Sequence, residues 1–238
     1  MTRRPNIAID GPVSAGKSTI ARFVAQRLHF TYIDTGAMYR AFAWAAQRRG
    51  LTAARPEAAG KLLDEIEIRL VPRREGGSQV FVDAEEVTES IRTPEIGQLA
   101  SQLSEIPAVR ERMVALQQEM ARDGGVVMEG RDIQTVVLPD AEVKIFLIAP
   151  AEERARRRCL ELQERGLSAD FDSVLTELRA RDRRDSTRAH SPLRAAPDAV
   201  TIDTGGLTIP QVVARVLEVA GRAFPCPPPT APPPTLGS

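Results

Sequence analysis

The run Ile7-Ala8-Ile9-Asp10-Gly11-Pro12-Val13-Ser14-Ala15-Gly16-Lys17-Ser18-Thr19 commits the chain to a strand, a tight anion-binding turn and a helix in direct succession. Gly11, Gly16, Lys17 and Ser18 fill every fixed position of the phosphate-loop pattern G-x-x-x-x-G-K-[ST]. Ile7, Ala8 and Ile9 read as a buried strand entering the turn, and Ile20, Phe23, Val24 and Leu28 recur at helical spacing beyond it. The residue types follow from the chemistry. Glycine lets backbone approach a phosphate with no Cβ in the way. Successive N–H groups and the positive end of the helix dipole then face the anion. Lys17 adds a mobile charge for the terminal phosphates, and the Ser18 hydroxyl is suited to ligate Mg²⁺. A glycine-rich turn without a ligand has no need of Lys17 or Ser18, so nucleotide binding is the stronger reading.

The 238 residues suit one large α/β domain, or a domain carrying insertions. Lys and Arg together number 32, and so do Asp and Glu, giving a formal net charge of zero. That speaks against a dedicated nucleic-acid binder or a membrane-surface protein. The two cysteines, Cys159 and Cys226, cannot supply a four-thiolate zinc site or a disulfide framework. No apolar run approaches membrane-spanning length, and Arg3-Arg4 leads into Pro5 rather than a signal core, so a cytoplasmic enzyme is expected.

Along the chain, Phe30–Ile33 reads as a second strand, and Asp34 as the cap of a helix bearing Met38, Phe42, Ala45 and Ala46 on one face. Strand, helix, strand, helix favours a parallel sheet. From about residue 61 the pattern alternates. Glu67–Val71 and Gln79–Asp83, with Gly76-Gly77 between them, predict a half-exposed antiparallel hairpin. Helices are expected over 94–104 and 107–122, each opening near a proline. Val126–Met128 and Val143–Ile148 return to buried strands; 199–203 reads as the last strand and 208–222 as a closing helix. Between them, residues 151–190 hold ten Arg and nine Asp or Glu. Helices near 151–165 and 170–186 flank Gly166 there, in the form of a lid on two arms. The expected division is a core (1–60, 123–150, 190–224), an insertion (61–122), the lid (151–189) and a polyproline or disordered tail (225–238).

Arg181, Asp185 and Arg188 are spaced to share one helix face. Charge runs are usually solvated faces, but Lys17, Arg40 and Arg131 fall where the carboxyl edge of the sheet is expected. Several cations in one place suit two polyphosphates held end to end. His29 and His190 read as structural or solvated. A phosphate-monoester acceptor is already anionic near neutral pH, its second pKa being roughly 6. A sugar-hydroxyl acceptor would need a carboxylate base instead, and Asp34, otherwise a helix cap, is the candidate.

The chain resembles the bacterial cytidylate kinases from the phosphate loop to about residue 222. The resemblance rests on Ile9-Asp10-Gly11-Pro12, Tyr32–Arg40, Ile91-Arg92-Thr93 and Gly130-Arg131-Asp132. It continues through Pro139-Asp140-Ala141, Lys144–Leu147 and Arg181-Asp182-x-Arg184-Asp185-x-x-Arg188. It implies a P-loop nucleoside-monophosphate-kinase fold: a parallel sheet with helices on both faces, a small inserted antiparallel element and a helical lid. It also implies Mg²⁺-dependent transfer of the ATP γ-phosphoryl group to CMP or dCMP by a monomer. Gly11, Pro12, Val13, Ser14, Ala15, Gly16, Lys17, Ser18 and Thr19 would hold ATP, with Ser18 on the metal. Arg157 would stack on adenine or lie along the surface. Thr35, Arg40 and Arg131 would hold the acceptor phosphate; Ser101, Arg110 and Asp132 would read cytosine; Arg181 and Asp185 would face the pentose; Arg188 would reach over the transferring group. Lys17, Arg131, Arg181 and Arg188 are thus the expected catalytic set.

Two departures stand out. Gln134 occupies the glycine position of the family pattern Gly-Arg-Asp-[Ile/Met]-Gly-Thr, which predicts strain just after Asp132 if that position requires φ > 0. Val13-Ser14 is an unusual filling of the loop. The alternatives are an AMP, UMP or small-alcohol kinase, a nucleotide-dependent switch, or a degenerate binding-only protein.

Overall fold

The computed structural model describes residues 3–73, 77–188 and 190–224. Gly76 and the proline-rich segment with Cys226 lie outside them. The elements run β1 (Ile7–Asp10), α1 (Lys17–Leu28), β2 (Thr31–Asp34), α2 (Thr35–Arg48), α3 (Pro56–Glu65), β3 (Ile68–Pro72), β4 (Ser78–Val82) and β5 (Glu85–Glu86). There follow α4 (Pro94–Leu103), α5 (Pro107–Ala121), β6 (Val126–Gly130), β7 (Val143–Ile148), α6 (Ala151–Glu164), α7 (Phe171–Thr187), β8 (Val200–Asp203) and α8 (Ile209–Ala223).

Five parallel strands lie in the order β2-β6-β1-β7-β8. Strand periodicity explains the two cores. Ile7, Ile9, Val127, Ile145 and Leu147 face α1 and α8, whereas Ala8, Val126, Met128 and Ile33 face α2 and the helices of the insertion. Both faces are covered, so β1 is buried along its whole length, as parallel strands usually are. Complete burial of Ile7 and Ile9 stabilises the fold by roughly 1.5–3 kcal/mol each. Because β1 has β6 on one side and β7 on the other, the crevice beyond its carboxyl end is the place where such sheets bind ligands.

The small sheet β3-β4-β5 is antiparallel, with Ile68 opposite Val82, and its buried Ile68, Val80 and Val82 join the α2 face. The hairpin therefore forms where alternation predicted it. One α-helix was not expected: α3, with Pro56 in its first turn and Ala59, Leu62 and Leu63 buried, spans residue 61, where the insertion was expected to begin. Helices α6 and α7 pack through Ala155, Cys159, Val174 and Leu178, a core of their own. Among the described residues no helix is long and apolar enough to cross a membrane.

Candidate active site

The phosphate loop has the conformation its glycines permit. A Cβ on Gly11 would lie 2.1 Å from the Leu147 carbonyl oxygen, a backbone atom that cannot move aside. Gly16 begins α1 at φ 90°, and no side chain caps the helix, so its first N–H groups are left for an anion. Lys17 Nζ donates to the Pro12 carbonyl at 2.7 Å. Burial, with help from Arg131, pushes the Lys17 ammonium down to about 7 against the pull of Glu129 and Asp10. Phosphates in the loop would restore its charge. Metal-free ADP binding at pH 8 is therefore expected to take up close to one proton, and ADP affinity to weaken as pH rises above about 7. Calorimetry in buffers of different ionisation enthalpy measures this; proton release at pH 8 would contradict it.

Around the loop lie three carboxylates that pattern reading did not assign to this site. Asp10 accepts from the N–H groups of Ile133 (3.1 Å) and Gln134 (2.9 Å). Burial lifts Asp10 to about 6 in spite of those bonds. Glu129, buried at the end of β6, accepts from the Tyr32 hydroxyl at 2.9 Å, and the Ser18 side chain is close enough to favour its charged form. Burial and then the nearby Asp34 raise its pKa, opposed by Lys17. Asp182 is the third, and it holds Arg154.

Gln134 does not strain its turn. It is not among the residues with positive φ, and it sits in a π-helical turn at Ile133–Val137. Its buried amide donates to the Ile145 carbonyl (3.3 Å) and accepts from the Ala196 N–H (3.0 Å). The expected strain is thus replaced by a strut that ties the Asp132 turn to β7. Gln134→Gly, which restores the family residue, is expected to lower stability by about 2 kcal/mol in urea titration, because the Ala196 N–H is left buried and unpaired. Unchanged or raised stability would contradict this.

The arginines converge from three elements. Arg131, at the end of β6, donates from Nε to Asp185 at 3.0 Å and from Nη1 to the Gly130 carbonyl at 3.1 Å. Arg40 of α2 pairs with Asp34 at 3.2 Å, and Asp34 also caps α2 through the Ala37 N–H at 2.8 Å. Asp34 is thus held as a cap and ion-pair partner. Among the described residues, Arg181 Nε and Arg188 Nη2 are buried with no hydrogen-bond partner. Such donors are costly to leave unmade and point to a ligand that supplies acceptors. Burial and the neighbouring Arg131 lower Arg181 to about 10, so it remains charged at neutral pH. For Asp185, burial opposes ionisation, but Arg131 and Arg181 outweigh it and hold the carboxyl below its usual range.

Beside this cluster is the expected base pocket. Arg110 pairs with Asp132, both nearly fully buried, and Arg188 Nη2 lies 3.8 Å from the other Asp132 oxygen. Ser101 is half-buried on α4, one turn before Ser104, whose carbonyl accepts from Arg110 at 3.3 Å. The Thr35 hydroxyl donates to the Glu129 carbonyl at 2.7 Å, so it fastens the start of α2 to β6. Arg157 flanks the loop on the opposite side, with both terminal nitrogens on Thr204 (3.0 and 2.9 Å) and Nε on Glu153 (3.2 Å). The Thr204 hydroxyl in turn lies 3.2 Å from the Ala15 carbonyl.

A parallel sheet with an uncapped phosphate loop beside a cluster of arginines defines a class, the P-loop kinases of small acceptors. Residues 7–222 match the family model described as cytidylate kinase. The cytidylate kinase of Syntrophotalea carbinolica is 51% identical over 222 residues, 93% of this chain and 94% of the relative. That of Pelotomaculum thermopropionicum is 51% identical over 217 residues, 91% and 96% of the two chains. That of Geobacillus thermodenitrificans is 51% identical over 222 residues, 93% and 99%. The chain belongs to the cytidylate kinase family.

Proposed function

We propose that the chain transfers the γ-phosphoryl group of ATP to CMP or dCMP, giving ADP and CDP or dCDP, by positioning and charge stabilisation without a general base. The observation that carries this reading is the pair of buried guanidinium nitrogens on Arg181 and Arg188 that have no hydrogen-bond partner among the described residues, with the Arg181 charge felt by Lys17 of an uncapped phosphate loop. ATP phosphates lie along Gly11–Thr19, with Lys17 released from the Pro12 carbonyl to the terminal phosphates. Arg40 and Arg131 hold the acceptor phosphate. Arg181, which the resemblance alone would set against the pentose, is assigned with Arg188 to the transferring group because its buried Nε has no hydrogen-bond partner among the described residues and its charge acts on Lys17. The equatorial oxygens of that group carry the transition-state charge. The acceptor oxygen is anionic at neutral pH and needs no proton removed.

The oxygen donors of Ser18 and Glu129 suit Mg²⁺, which keeps several waters and uses one or two protein ligands beside phosphate oxygens. When bound, the ion would neutralise charge shared by the β- and γ-phosphates. Cytosine is read by Asp132, whose carboxylate accepts from the exocyclic amino group and would repel the carbonyl that uracil presents there. Arg110 and Ser101 complete that pocket. Arg157 holds the adenine side of the loop through Thr204. The reading includes a cytoplasmic monomer, and the buried free thiol of Cys159 fits a reducing compartment.

Comparing kcat/KM for CMP, dCMP, UMP and AMP with Mg-ATP tests the acceptor assignment. CMP and dCMP are expected to exceed UMP and AMP by at least about a hundredfold. A preference for UMP or AMP would overturn it.

A further inference from the structure

Val13, the third residue of the phosphate loop, is tied to the lid on two sides. Its side chain packs against the Ala155, Cys159, Val174 and Leu178 cluster that joins α6 to α7. Its carbonyl accepts from Nη1 of Arg154 at 3.3 Å. Arg154 is 5% exposed, and its Nε donates to the Ala149 carbonyl just after β7 at 3.0 Å. The same guanidinium holds Asp182 of α7 with two parallel bonds, 3.1 and 2.6 Å. Asp182 is the neighbour of Arg181. An unbroken line of contacts therefore runs from the loop backbone to the arginine assigned to the transferring phosphoryl group.

The geometry makes this line directional. A two-pronged Arg–carboxylate bond fixes planar orientation as well as distance, which a single charge pair does not. The other ion pair between these helices, Arg179 with Glu152, is exposed on both sides and contributes little. When phosphates take Lys17 from the Pro12 carbonyl, the Pro12–Val13 peptide loses a partner, and Arg154 holds the carbonyl of the very next peptide, Val13–Ser14.

We propose that Arg154 and Asp182 are positioning residues that couple filling of the phosphate loop to placement of Arg181 over the transferring phosphoryl group, between the two nucleotides. The proposal rests on the assignment of Arg181 given above. Coupling of this kind is reciprocal: ATP tightens CMP binding by the same factor that CMP tightens ATP binding.

The test measures CMP affinity by calorimetry on the full chain, with and without a saturating non-hydrolysable ATP analogue and Mg²⁺. In the wild type the analogue is expected to tighten CMP binding by about tenfold. In Asp182→Asn each nucleotide alone is expected to bind within about twofold of wild type, while the coupling factor falls to about one. Its kcat is expected to drop by roughly 30-fold. Asp182→Glu, which keeps the charge, should recover part of the coupling, and Arg179→Ala should leave it intact. Full coupling in Asp182→Asn, or none in the wild type, would overturn the proposal. So would weaker binding of both nucleotides together with a lowered Tm, since that marks a purely structural pair. A wild type that makes no CDP would instead overturn the functional reading, which separates the two failures.

Discussion

Arg181→Ala is expected to lower kcat by about 10³-fold, close to 4 kcal/mol of transition-state stabilisation, with KM for either nucleotide changed by less than about tenfold. Arg181 is largely buried, remains charged at neutral pH, and has an Nε with no protein partner among the described residues. Its interaction is therefore reserved for a ligand. A guanidinium in a water-poor cleft meets growing charge on the equatorial oxygens far more strongly than it would in solvent. Removing it should also relieve repulsion with Arg131 and Arg40, so the fold should not weaken. Steady-state kinetics with a thermal melt separate these effects. The loss of rate must come with an unchanged or raised Tm; retention of more than about a tenth of wild-type kcat would remove Arg181 from the mechanism.

Asp132→Asn is expected to collapse acceptor selectivity. Its carboxylate lies between Arg110 and Arg188, both nearly buried, and offers only acceptors to a base. Asparagine presents a donor as well, which suits the uracil carbonyl and meets the cytosine amino group poorly. We expect kcat/KM for CMP to fall by about 10²–10³, while the value for UMP holds or rises. Arg110 loses a buried counter-charge, so stability should also fall by roughly 3 kcal/mol. Measuring both acceptors on the same folded preparation distinguishes specificity from damage. Equal losses for CMP and UMP would mean that Asp132 serves the fold rather than the base.

What could be read from the sequence follows the range over which each interaction acts. The phosphate loop, helices α6 and α7 and the pairing of β3 with β4 are set by neighbours within a few residues, and the structure forms them where spacing predicted. Helix α3 carries the right signals in Pro56, Ala59, Leu62 and Leu63, but its few apolar positions run straight into the alternating segment from about residue 61, and periodicity does not separate the two. The two-residue β5 and the π turn at Ile133–Val137 are too short for periodicity to reveal. At the site, cations were legible because a phosphate loop calls for them. Their polar supports were not. Tyr32 reaches Glu129 across 97 positions, Asp10 reaches Gln134 across 124, and Arg154 reaches the Val13 carbonyl across 141. In one dimension Glu129, Arg154 and Asp182 look like ordinary surface charges, and only packing shows them buried or half-buried and engaged. Gln134 is the sharpest case. A residue that broke the family pattern predicted strain, and tertiary context gave its amide two backbone partners instead.

The central claim is that the crevice passes a phosphoryl group between two nucleotides and does not merely hydrolyse one. The most direct measurement is ³¹P NMR of the purified chain with Mg-ATP and CMP, following both products in one tube. The account predicts ADP and CDP in equal amounts, with negligible inorganic phosphate and no ADP when CMP is omitted. Inorganic phosphate formed in step with ADP, with no CDP resonance, would contradict it.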